Sequence, residues 1–81
     1  MKIEYEYVIY DKSFIVLENG KGLSNEGSAI DISEDILLKT KTAVFADINE
    51  VRIKGKLKLR TITCIASQYK STKNIVITNY K

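Results

Sequence analysis

The chain contains no histidine, no proline and no tryptophan, and it has a single cysteine, Cys64. Each absence removes a class of explanation. One cysteine excludes an intrachain disulfide. Without histidine, the commonest zinc ligand is missing, and so is the usual base for a serine or cysteine nucleophile. The chain is therefore expected not to be an enzyme of a common catalytic class, and to need no metal or cofactor. No apolar run approaches the roughly 20 residues of a membrane span. The start, Met1-Lys2-Ile3-Glu4-Tyr5-Glu6, is charged where a signal peptide needs an apolar core. No Asn-x-Ser/Thr acceptor occurs, and a lone cysteine fits a reducing compartment. A cytoplasmic location with no membrane contact is the expectation.

Residues 1–81 are short enough to form one domain. A chain of this size buries only about 60% of its unfolded surface, so its core is thin. With disulfide and metal staples absent, homodimerisation is the remaining route to extra burial.

Charge is split along the chain. Residues 1–40 hold four lysines and eight acids, a net −4, whereas residues 41–81 hold nine lysines and arginines and two acids, a net +7. Such a split marks either a basic partner-binding surface or two halves that neutralise each other. Lysine outnumbers arginine eleven to two, and isoleucine and asparagine are also abundant. That bias suits AT-rich coding and a mobile-element or phage origin, and it dilutes the functional meaning of each lysine.

Period-2 patterning dominates. Ile3, Tyr5, Tyr7 and Ile9 alternate with Lys2, Glu4, Glu6 and Val8. Asp11-Lys12 reads as a tight turn into a second strand over Ser13–Glu18. Asn19-Gly20 is a turn signal, and Gly20, Gly22 and Gly27 mark residues 19–28 as a loop. Asp31-Ile32-Ser33-Glu34 has capping-box spacing, with Ser33 a rival N-cap. A short helix over 32–40 follows, carrying Ile32, Ile36, Leu37 and Lys39. Thr42–Ile48 and Lys73–Tyr80 read as strands. The fold class expected is mostly β, or α+β: five to seven antiparallel strands in a small sheet or barrel, with one short helix.

Residues 51–67 admit two readings. Gly55 is either a bulge in one long strand or the middle of a hairpin loop, Lys54-Gly55-Lys56. Pairing residues whose numbers sum to 110 favours the hairpin. It sets Phe45 opposite Ile65, Ile48 opposite Ile62, Glu50 opposite Arg60, Val51 opposite Leu59 and Ile53 opposite Leu57. It also places Arg52, Lys54, Lys56, Lys58 and Arg60 on one face, with Arg52 opposite Lys58. Like charges so opposed destabilise a sheet unless an anion neutralises them.

This basic cluster is the candidate binding site, for an acidic protein surface or for nucleic acid. A two-stranded ribbon fits a nucleic-acid groove, and lysines there gain affinity by counterion release. Tyr69-Lys70 and Tyr80-Lys81 would add stacking beside charge. The competing account is a solvated, lysine-rich face that protects an edge from aggregation, with Glu4, Glu6 and Glu50 neutralising part of it. Other groups carry less. Cys64 lies among β-formers and reads as a small core residue. Glu4/Glu6 and Asp31/Glu34/Asp35 could perform acid–base work, yet cross-strand pairing and helix capping account for them. Asn19-Gly20-Lys21-Gly22 matches no phosphate-binding pattern. The expected function is a small non-enzymatic inhibitor or adaptor acting through protein contacts, with a nucleic-acid-binding module as the alternative.

Overall fold

Alternation at the N-terminus does produce a strand. In the computed structural model, which describes residues 2–69 and 72–80, Ile3–Asp11 forms β1. Val16–Leu23 forms β2, Glu26–Lys39 helix α1, Ala43–Arg52 β3, Leu57–Tyr69 β4 and Thr72–Tyr80 β5. The strands make one open antiparallel sheet in the order β2-β1-β3-β4-β5. The expected mostly-β class with one helix is present, as an open sheet rather than a barrel. Helix α1 leads from β2 across the sheet to β3, which pairs with the other side of β1.

Three expectations are corrected here. The helix begins at Glu26, not 32, because Asn25 is its N-cap: its Oδ1 accepts from the Ser28 N–H at 2.7 Å. Asp31, Glu34 and Asp35 therefore lie within the helix rather than at its start, and Asp35 pairs with Lys39 at 3.0 Å. Asn19-Gly20 is not a turn, since β2 runs straight through it. Gly20 lies opposite Tyr7, and a Cβ added there would meet the Tyr7 ring at 2.5 Å. The glycine thus makes room for an aromatic ring across the pair. The first turn is also wider than Asp11-Lys12. Asp11 Oδ1 accepts from the Ser13 and Ile15 amides at 2.8 and 3.0 Å, closing a loop that ends at Ile15.

The core lies between α1 and one sheet face. Directly paired strand residues share a face, so Ile9, Ala46 and Cys64 form one buried row, with Ile48 and Ile62 in the next. Helix α1 presents Ala29, Ser33 and Leu37, spaced four apart and fully buried. Two of these three are small, which is why apolar periodicity alone does not reveal the first half of the helix. The helix C-terminus is closed by β5. Lys73 Nζ donates to the carbonyls of Leu37, Thr40 and Ala43, the last two at 3.0 Å.

Ser33 is the exception inside this core. Its Oγ is buried without a hydrogen-bond partner among the described residues, and an unpaired hydroxyl costs about 1–3 kcal/mol. Ser33→Ala removes it and improves helix propensity. The variant should gain about 1 kcal/mol, read as a melting temperature higher by roughly 5 °C. A lower melting temperature would mean the hydroxyl has a partner.

Candidate functional site

The hairpin reading of residues 51–60 holds, with one change in register. From Phe45↔Ile65 to Glu50↔Arg60 the paired numbers sum to 110. Beyond that, Val51 pairs with Lys58 and Arg52 with Leu57, so Leu59 is the extra residue of a β-bulge. The loop is Ile53-Lys54-Gly55-Lys56. Lys56 N donates to Ile53 O at 3.1 Å, and Gly55 sits at φ +84° where glycine is favoured.

That one-residue shift divides the five cations, correcting the expectation of a single basic face. A slip of one residue moves every following side chain to the opposite face. Arg60 points to the helix side, where it pairs with Glu26, and lies 3.6 Å from Glu50. Glu50 also accepts from the Tyr5 hydroxyl at 2.9 Å, and that bond is the first cause of a raised Tyr5 pKa. Arg52 turns back on its own loop, Nε donating to Lys54 O at 3.1 Å. Lys54 stays exposed at the turn. Lys56 and Lys58 alone join the opposite, helix-free face. There, with Lys21, they border a concavity of about 560 Å³ whose other walls include Glu4, Glu6, Val51 and Ile53. Lys70, Lys81 and the side chains of Tyr69 and Tyr80 lie outside the described residues, and with them the expected stacking beside charge.

The helix-free face changes character along its length. Past the charged concavity comes a polar band. Thr61 Oγ1 donates to Asn49 Oδ1 at 2.7 Å, Asn49 Nδ2 to Glu6 Oε1 at 3.1 Å, and Thr63 Oγ1 to Asp47 Oδ1 at 2.8 Å. These short side chains satisfy one another, so the band is flat and needs no partner.

At the far end the face turns apolar. Val16, Tyr10, Phe45, Ile65 and Val76 are paired in sequence across all five strands and form one unbroken row. Phe14 stacks on Phe45 with centroids 5.1 Å apart and meets Tyr10 edge-on at 6.3 Å. Phe14 is 68% exposed and Val76 55%. Phe14 also holds φ +61°, a left-handed backbone that costs a non-glycine residue about 1–2 kcal/mol. Phe14 thus combines exposure, a strained backbone and ring contacts to Tyr10 and Phe45 at the end of the apolar row. Sequence reading missed this row because its members come from five strands and meet only through register. Phe14 itself carries no local signal.

Among the described residues, no group of three metal-binding side chains is gathered. Cys64 is buried in the core, and burial, followed by the Glu34 and Asp47 carboxylates, pushes its thiol up to about 11 from an ordinary 9.0. The thiol is therefore protonated in the fold over the physiological range. A raised folded pKa contributes stability that is complete below the unfolded thiol's 9.0 and is lost as pH rises through about 11. Native protein at pH 8 should resist iodoacetamide, and urea-unfolded protein should react fully. Equal rates would place the thiol at the surface.

No helix among the described residues is long and apolar enough to cross a membrane. No family model, curated protein or solved structure matches the chain.

Proposed function

We propose that this chain is a non-enzymatic binding protein, an inhibitor or adaptor, that occupies a partner protein with its helix-free face. The observation that carries this reading is the apolar row Val16–Tyr10–Phe45–Ile65–Val76 with Phe14 exposed above it. Aromatic residues so placed are the usual anchors of protein interfaces. The partner it suits has an apolar patch facing Phe14 and carboxylates facing Lys21, Lys56 and Lys58. The absence of histidine and the burial of Cys64 support a role without catalysis.

A nucleic-acid reading retains one supporting observation, the three lysines around the concavity. It is weakened by the bulge, which commits Arg60 to Glu26, and by Glu4 and Glu6 on the same walls. Phosphate recognition favours arginine forks, and neither arginine faces this way.

Two parallel measurements test the proposal. Tagged wild-type and Phe14→Asp proteins are used to capture partners from an extract of the source cell, and any stoichiometric complex is reconstituted from purified components. Phe14→Asp should weaken that complex tenfold or more, while Lys54→Glu changes it little. Fluorescence anisotropy with single- and double-stranded DNA and RNA across a salt series forms the second arm. Tight binding there, with a steep salt slope and loss on Lys56→Glu/Lys58→Glu, would replace the protein-partner reading. A complex indifferent to Phe14 would overturn it as well.

A further inference from the structure

The two edges of the sheet are built differently. The β2 edge is blunted. Its pairing with β1 is broken by two register shifts, it contains Gly20 and Gly22, and Glu18 and Lys21 charge it. These are the devices that keep an edge from pairing with another chain. The β5 edge has none of them. Its register with β4 runs without interruption from Tyr69↔Thr72 to Thr61↔Tyr80. From Asn74 to Tyr80 it holds no charged residue, and Lys73, its one cation, spends its amine on the end of α1. Val76 and Ile77 remain 55% and 47% exposed, on opposite faces of the strand.

The β5 sequence also complements itself. Antiparallel pairing of two β5 strands places residues opposite one another whose numbers share a sum. A sum of 152 sets Val76 against Val76, Ile75 against Ile77 and Asn74 against Thr78. Shifting to a sum of 150 or 154 puts Val76 against Asn74 or Thr78 and keeps an apolar match on one face only, Ile75 or Ile77 against itself. Register is fixed where such a pattern is fixed.

From these observations we infer that β5 is a dimerisation strand: two copies of this chain join by antiparallel β5–β5 pairing about Val76 into one ten-stranded sheet. The two-fold pairing is self-limiting. Both strands with bare backbone groups are used up, and the outer edges of the dimer are the two blunted β2 strands. The apolar row continues through Val76 into the same row of the second copy. The dimer thus carries two Phe14 anchors on one continuous face. The inference stands on the β5 edge alone and does not require the partner reading above.

Cross-linking tests both register and surface. Directly opposed residues of an antiparallel pair have Cα atoms about 4.5 or 5.5 Å apart, within the range a disulfide spans, about 4.4–6.8 Å. Val76→Cys protein treated with oxidised glutathione should therefore form a covalent dimer, each disulfide consuming two thiols. Val16→Cys, on the same row but at the β2 edge, should stay monomeric. Light scattering of wild-type protein over a dilution series should show twice the 9.2 kDa of one chain, and Val76→Lys should halve it. A wild-type mass of one chain into the high-micromolar range overturns the inference. So does a dimer that Val16→Cys traps and Val76→Cys does not. If Val76→Lys fails to fold, as circular dichroism would reveal, the cysteine pair still decides.

Discussion

Leu37→Ala should lower unfolding stability by about 3 kcal/mol. Leu37 is the only large side chain among the three helix residues that are fully buried; its companions are Ala29 and Ser33. Leu37 is therefore the largest fully buried anchor of α1, with Ile30 and Ile36 packed part-buried beside it, and Ala29 and Ser33 are too small to fill the space it leaves. A domain of this length has roughly 4–12 kcal/mol in total, so the loss is a large share of it. Melting should fall by roughly 15 °C, and urea titration followed by circular dichroism should show the midpoint moving with little change in slope. Leu38→Ala is the matched control. Leu38 is exposed, and its truncation should cost under about 0.5 kcal/mol. Equal effects at the two positions would mean that the helix is not anchored through Leu37.

The second large effect is expected at Lys73. Its amine serves three carbonyls at the end of α1 and the entry to β3, a cation placed where the helix dipole is negative. Lys73→Met keeps the aliphatic stem and removes the donors. It should cost about 2 kcal/mol, since charge-assisted bonds in a partly buried site are worth more than neutral ones. Lys56→Met, at the exposed turn, should be close to neutral. The same urea titration compares them. A Lys73 variant as stable as the wild type would show that the carbonyls are served equally well by water.

These two residues illustrate what a sequence discloses and what it withholds. The strands of the β3–β4 hairpin were legible because matched residues face each other across them: Ile48 meets Ile62, and Glu50 meets its opposite charge Arg60. The bulge at Leu59 was not. Residues 56–60 alternate without a break, and no glycine marks the extra residue, so the five cations read as one face when they occupy two. The helix start was hidden for a related reason. Its buried positions at Ala29 and Ser33 are too small to register as an apolar stripe, and Gly27 in its first turn argues locally against a helix. Lys73 looks like one more lysine in a lysine-rich chain, and only its position after the meander brings it under α1. Phe14 and the row beneath it depend on four successive pairings. For Leu59, Lys73 and Phe14 the missing information was long-range register, which local propensity does not encode.

Strand order has a bearing on how the chain reaches this state. The β1–β3 pairs join residues 32 to 49 positions apart, from Asp11↔Ala43 to Ile3↔Arg52, whereas β1–β2 and β3–β4–β5 are local hairpins. Closing so long a loop costs more chain entropy than either hairpin does. The central seam of the sheet is therefore expected to zip last and to set the folding rate. During synthesis β1 emerges with β2 on one side and α1 to cover Ile9, and its other edge stays unpaired until β3 follows it out of the ribosome. The first strand to be made, β1, is thus, in time, the one that waits longest for its second neighbour.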